Sequence, residues 1–256
     1  MKVLILAAGI GTRISRHLKG QPKCCVDLDG KPLIWHTFNT FNKLNFHDIA
    51  IVTGYEEQYI FNELKGYVYK SYRNPFYSVT NSLASMWFAK DFIDENDDLL
   101  ILNGDLFFED SVLKSIVDVD KSPVFLSDCS RIEDADYRFY SEGDRLLRYG
   151  KDLSNEETTG EYVGIAKINR KDIPLMKKRL DMLVNDGQHT MWWEDLFYSS
   201  IEDGEKVYIE DVKGKFWAEV DFIEDYKRIL EYIENKDIQA FCKEKTVEIK
   251  QKYGKK

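Results

Sequence analysis

Cysteine, histidine and proline are scarce here, with four, four and five copies in 256 residues. Cys24 and Cys25 are adjacent, Cys129 and Cys242 are isolated, and no C-x-x-C occurs, which excludes a disulfide scaffold and a dithiol redox motif. His17, His36, His47 and His189 lack the H-x-x-x-H or Cys/His spacing of a zinc site. A reduced, cytoplasmic protein is the expectation. No stretch approaches the roughly 20 apolar residues of a membrane helix. The apolar run Val3 to Ile10 meets Arg13, Arg16 and Lys19 without a small-x-small cleavage pattern, so it reads as a buried first strand. Positive charge is also short. Lys and Arg number 36 against 45 Asp and Glu, giving a net charge of −9, with a pI near 5.1. That balance disfavours nucleic acid or an anionic membrane as partner. A phosphate-rich ligand would have to be met locally, by a few placed cations or a metal ion.

Core-forming residues are abundant, at 43% hydrophobic and 14% aromatic, enough for one large domain or a domain with a small appendage. Short apolar runs at Lys2–Leu6, Asp48–Thr53 and Asp97–Leu102, with Pro123–Ser127 and a weaker Tyr67–Arg73, read as strands. Helical spacing fills Pro32 to Phe46, Glu56–Leu64, a segment from Asn81 or Ser82 through Ile93, and Asp110–Val119. This β-α-β-α order predicts an α/β fold with a mainly parallel sheet flanked by helices and a ligand at the carboxyl ends of its strands. The pattern then turns β-rich. Tyr137–Tyr140 and Arg145–Tyr149 suggest a hairpin, and Tyr162–Ile168, Lys206–Ile209 and Phe216–Val220 suggest further strands. Helices are expected over Lys171–Val184, Met191–Ile201 and the charged end from Ile223 to about Ile249.

The segment Leu6-Ala7-Ala8-Gly9-Ile10-Gly11-Thr12-Arg13, with Pro22-Lys23 shortly after, is rich in small residues that let backbone N–H groups approach a polyphosphate. Arg13 and Lys23 could neutralise charge built up in phosphoryl transfer. The segment lacks the G-K-[ST] of a P-loop and the third glycine of a dinucleotide fingerprint. Asn103-Gly104-Asp105 and Glu219-Val220-Asp221 each end an apolar strand, so Asp105 and Asp221 are candidate ligands for Mg²⁺. Thr190-Met191-Trp192-Trp193-Glu194-Asp195, with Trp217, sets indoles beside carboxylates, as an organic cation requires; spacing alone puts at least one of Trp192 and Trp193 in the core.

Together these elements resemble the nucleotidylyltransferases that activate sugar or alcohol phosphates. Asn74-Pro75 with Thr80-Asn81-Ser82-Leu83-Ala84-Ser85-Met86-Trp87, Tyr149 to Leu153, Gly160 to Gly164, Trp193-Glu194-Asp195 and Trp217 to Asp221 are similar to segments of the phosphocholine cytidylyltransferase-like group. The resemblance implies a Rossmann-like fold of the nucleotide-diphospho-sugar transferase type with a small β-rich extension at about 128–220. The domain would span 1–236, with a charged helix or tail at 237–256. It implies CTP as nucleotide partner, Mg²⁺ as cofactor, and a small phosphorylated or phosphonate acceptor. Leu6, Ala7, Ala8, Gly9, Gly11, Thr12, Arg13, Lys23, Asn81, Ser82 and Gly104 would bind the nucleotide. Asp105 and Asp221 would hold the metal. Arg138, where the group has lysine, and Lys151 would hold the acceptor phosphate, with Glu161, Trp193, Glu194, Asp195 and Trp217 around its other end. Phosphocholine is the first acceptor implied, then 2-aminoethylphosphonate or an amino-acid-derived phosphate. A sugar 1-phosphate acceptor, with Glu161 and Glu194 facing hydroxyls, is the alternative within this chemistry. A nucleotide-binding regulatory protein without turnover is the alternative outside it.

Overall fold

The computed structural model describes residues 1–11, 18 and 20–253, with side chains through residue 239. The strands in chain order are β1 (Lys2–Leu6), β2 (Asp27–Leu28), β3 (Lys31–Pro32), β4 (Asp48–Thr53), β5 (Lys70–Arg73), β6 (Leu99–Asn103) and β7 (Leu106–Phe108). They continue as β8 (Val124–Asp128), β9 (Arg138–Glu142), β10 (Arg145–Gly150), β11 (Gly160–Ile168), β12 (Val207–Asp211) and β13 (Trp217–Glu219). The helices are α1 (Leu33–Lys43), α2 (Glu57–Glu63), α3 (Ser82–Phe88), α4 (Asp110–Lys114), α5 (Ile173–Asn185), α6 (Asp195–Glu202) and α7 (Ile223–Tyr253). No helix among the described residues is long and apolar enough to cross a membrane.

A nine-stranded sheet in the order β5-β4-β1-β6-β11-β8-β12-β10-β9 organises the chain. Its first four strands are parallel, as the sequence predicts. The rest corrects the expectation of a mainly parallel sheet. β11 inserts antiparallel between β6 and β8, and β12 pairs parallel with β8 but antiparallel with β10. β9 also bonds to β11, so β11, β8, β12, β10 and β9 close on themselves. β11 is buried along its whole length, Glu161 and Lys167 included, and nothing in its own sequence marks which way it pairs. The architecture is therefore a mixed sheet with helices.

Apolar side chains alternate across this sheet into two cores. Leu4, Leu6, Ile101, Phe125 and Ala166 face one side, where Trp193, Leu196 and Tyr198 pack. Val3, Ile5, Leu100, Leu102 and Ile165 face the other, against Ile34, Phe38 and Phe41 of α1. Each fully buried Leu, Ile, Val or Phe among them contributes about 1.5–3 kcal/mol. A third cluster joins Leu28 and Leu33 to Phe107, Ala218 and Val220, and to Ile229 of α7. It seats the two-stranded ribbon β7–β13 beside the carboxyl edge of the parallel strands.

Candidate active site

That ribbon sets the geometry of the site. Leu106 pairs with Glu219 and Phe108 with Trp217, and Val220 N donates to Asp105 O at 3.0 Å. Asp105, just beyond β6, is thereby laid beside the far-removed Glu219 and Asp221. Carboxylate oxygens of the three lie within 4.8 Å of one another. Lys23, in a single 3-10 turn after Pro22, reaches into the group: its Nζ stands 2.5 Å from Asp105 Oδ2 and also pairs with Asp221. Burial works against the charged ammonium, but Asp105, Glu219 and Asp221 outweigh it and hold Lys23 above its usual range. Burial, Asp105 and Asp221 push the Glu219 carboxyl well up, with Lys23 opposing. Three carboxylates against one ammonium leave a deficit of two positive charges when all are ionised. All three offer hard oxygen donors, so the residues present fit a divalent cation such as Mg²⁺.

Backbone approach defines the neighbouring wall. Gly104 N donates to Leu6 O at 2.9 Å, and a Cβ on Gly104 would come within 2.6 Å of Ala7 Cβ. Gly11 has φ +68°, and a Cβ there would overlap Lys23 Cγ. These glycines let the end of β1, the end of β6 and Lys23 converge. Asn81 caps α3 by accepting from Ser82 N at 2.8 Å, and Ser82 Oγ accepts from Trp193 N at 2.9 Å.

A cleft of about 390 Å³ opens between these elements. Leu6, Ala7, Ala8, Gly9, Gly11, Lys23, Asn81, Ser82, Gly104, Asp105, Asp221, Lys151 and Glu194 all line it. Thr12 and Arg13 lie outside the described residues. Five expected acceptor-side residues do not line the cleft. Trp193 is fully buried, stacks on Phe125 at 5.8 Å and donates Nε1 to Asn103 at 2.9 Å. Trp217 is buried and donates to Asp128 at 2.9 Å. Asp195 accepts from Trp192 N at 2.9 Å, tying down the turn before α6. Arg138 does not line the cleft and instead bonds Asn155, Thr158 and Glu133 O, while the preceding residue, Tyr137, is a lining residue. Glu161 is buried against Arg131.

The wall of the cleft on that side is instead Asp136, Tyr137, Tyr162 and Trp192, with Glu194 and Lys151. Trp192 is 41% exposed and meets Tyr137 edge-on at 5.8 Å. Lys151 Nζ pairs with Asp136 Oδ2 at 2.7 Å. Glu194 accepts from Asn103 Nδ2 at 3.4 Å, and burial pushes its carboxyl up to about 8, with Asp195 adding to the rise. Burial, Asp195 and Glu194 hold the Tyr137 phenol protonated. Sequence reasoning missed Glu219, although the spacing in Glu219-Val220-Asp221 puts it on the same face as Asp221. No local signal marks Asp136, Tyr137 or Tyr162, because only the β9–β11 pairing brings them to the cleft.

The chain is similar to known proteins in sequence and in fold. Residues 3–128 match the MobA-like NTP transferase domain. The chain is 28% identical over 248 residues to the CTP:phosphoglutamine cytidylyltransferase of Campylobacter jejuni, covering 88% of this chain and 97% of that one. It is 24% identical to the choline-phosphate cytidylyltransferase of Streptococcus pneumoniae, over 93% and 100% of the two chains. The solved CTP:phosphocholine cytidylyltransferase from Streptococcus pneumoniae superposes with a TM-score of 0.73 at 21% identity, covering 91% of this chain and 98% of that one. At that identity the likeness establishes the fold, of the nucleotide-diphospho-sugar transferase type.

Proposed function

We propose that this chain, which belongs to the nucleotidylyltransferases, couples CTP to a small amine-bearing phosphate or phosphonate with Mg²⁺ and releases pyrophosphate. One observation carries the reading. A phosphate-side group of Lys23, Asp105, Glu219 and Asp221 shares a single cleft with an aromatic and acidic wall of Tyr137, Tyr162, Trp192 and Glu194. Two relatives named for phosphoglutamine and choline phosphate support an acceptor of this kind.

The small residues Ala7, Ala8, Gly9 and Gly11 let the backbone approach the nucleotide, while Asn81 and Ser82 face its base and sugar from across the cleft. Lys23 carries positive charge to the phosphate side, and Arg13 is proposed to add to it. Asp105, Glu219 and Asp221 would hold Mg²⁺, which supplies charge neutralisation for the triphosphate and the departing pyrophosphate. An acceptor phosphate oxygen attacks the α-phosphorus in line. The new P–O bond forms as the bond to the β-phosphate bridge breaks, and that electron pair leaves with pyrophosphate. The attacking oxygen is already ionised near neutral pH, so no general base is needed; positioning and charge compensation supply the rate. Lys151, at the cleft mouth, is the cation for the acceptor phosphate, and Trp192 and Tyr137 offer π-faces worth about 0.5–2 kcal/mol each to an acceptor cation.

Phosphocholine is the first acceptor proposed, with 2-aminoethylphosphonate or an amino-acid-derived phosphate next. The test is pyrophosphate release from CTP and Mg²⁺ with these acceptors and glucose 1-phosphate in parallel. Release with an amine-bearing acceptor is expected. Release with the sugar phosphate alone would overturn the acceptor class, and nucleotide binding without release from any acceptor would overturn catalysis.

A further inference from the structure

We propose that the ion pair between the partly exposed Arg131 and the buried Glu161 is a positioning device for the acceptor wall, fixing Asp136 and Tyr137 in the cleft without either member touching the acceptor. Its kinetic consequence rests on the proposed function; its structural consequence does not.

Alternation along β11 separates Glu161 from Tyr162: Tyr162 lines the cleft and Glu161 is buried away from it. Both carboxylate oxygens of Glu161 are engaged. Oε2 accepts from Arg131 Nε at 2.5 Å, and Oε1 accepts from the main-chain N of Asp136 at 2.8 Å. The next link is backbone to backbone, Tyr162 N donating to Tyr137 O at 2.9 Å. Two consecutive wall residues are thus tied to one strand, the first through a side chain and the second through the ladder. The Asp136 side chain in turn holds Lys151 at the mouth, so a shift of the Asp136 backbone would move the cation proposed for the acceptor phosphate.

Arg131 extends the chain of contacts toward the metal-side carboxylates. Its guanidinium lies over the Trp217 ring at 5.5 Å, and Trp217 is anchored to Asp128 and sits two residues before Glu219. Burial pushes the Glu161 carboxyl up, while the Asp136 amide and Arg131 hold it down. An apolar residue at 161 would suit the burial but could not accept from the Asp136 amide, and that directional bond is what the pair contributes.

The test compares wild type with Glu161→Ala, Glu161→Gln and Arg131→Met. In ligand-free protein, amide hydrogen exchange over residues 132–137 should quicken at least tenfold in Glu161→Ala. Glu161→Gln, which keeps an oxygen for the Asp136 amide, should fall between it and wild type, with β1 and β6 unchanged in both. Unchanged exchange at 132–137 would overturn the inference whatever the acceptor is. In steady-state kinetics with phosphocholine, Glu161→Ala should raise the acceptor KM about tenfold and leave the CTP KM within twofold, with Arg131→Met following in the same direction. Equal rises in both KM values would overturn it. Should Glu161→Ala fail to fold, Glu161→Gln and Arg131→Met decide by the same readouts. Absence of turnover in wild type would remove the proposed acceptor class and leave the exchange result to judge the pair.

Discussion

Glu194→Gln should abolish a pH-dependent loss of stability built into the acceptor side of the cleft. Glu194 is buried, accepts one long hydrogen bond from Asn103, and is surrounded by Asp195, Glu219 and the phenols of Tyr137, Tyr162 and Tyr198. Its carboxyl is pushed from 4.5 to about 8, chiefly by burial. At about 1.36 kcal/mol per tenfold in proton affinity, ionising it in the folded chain costs on the order of 5 kcal/mol more than in the unfolded chain, about 4 kcal/mol of it expressed between pH 5 and pH 9. A carboxyl raised by folding binds its proton more tightly in the native state. Stability should therefore fall as pH rises from about 4.5 toward 8 and level off above. His36, lowered by burial, has the opposite sign below its ordinary value of 6.5, but it is common to both proteins and cancels in their difference. For a chain of this size about 1 kcal/mol moves Tm by about 2–4 °C, so the variant should gain roughly 8–16 °C over wild type between pH 5 and pH 9. Thermal denaturation in a pH series without divalent metal measures this directly. A Tm difference that stays constant across the series would refute the claim that Glu194 is held protonated by its surroundings. The same logic gives a binding signature. A cationic acceptor should draw a proton off Glu194 at pH 7, seen by calorimetry as a binding enthalpy that varies with the ionisation enthalpy of the buffer.

The adjacent indoles should separate cleanly. Trp193→Ala should cost about 3–5 kcal/mol in denaturant unfolding, because it empties a fully buried site beside Phe125. Trp192→Ala should leave Tm within a few degrees while raising the acceptor KM several-fold. Gly11→Ala should lower kcat/KM for CTP at least tenfold, since both the positive φ and the contact with Lys23 resist a methyl group; an unchanged value would remove that turn from the phosphate site. Truncation after Lys236 should preserve turnover, because Tyr232, stacked on Phe216 and bonded to Glu109, is retained and residues 237–239 are exposed; loss of soluble, active protein would contradict it.

The parts of this molecule legible in sequence are those whose meaning is local. β1, β4 and β6 announce themselves as apolar runs, and the glycines and aspartates at their ends fall where an open parallel sheet keeps its ligand. Lys23, Asp105 and Asp221 stand in recognisable motifs, and the fold brings all three into one cleft. What escaped depends on long-range pairing. Nothing near Gly160–Ile168 says that this strand runs antiparallel to β6 and splits the sheet. A single residue of phase decides whether Tyr137 or Arg138, or Tyr162 or Glu161, faces the ligand. Trp192 and Trp193 are neighbours of the same type, and only the turn before α6 makes one wall and the other core.

The proposed catalysis depends most on Asp105, Glu219 and Asp221 holding a divalent cation against the nucleotide phosphates. Pyrophosphate release from CTP, Mg²⁺ and phosphocholine, measured for wild type and a folded Asp105→Asn, tests this most directly. A fall of at least a hundredfold with Tm preserved is the predicted result; turnover near the wild-type rate would contradict the account.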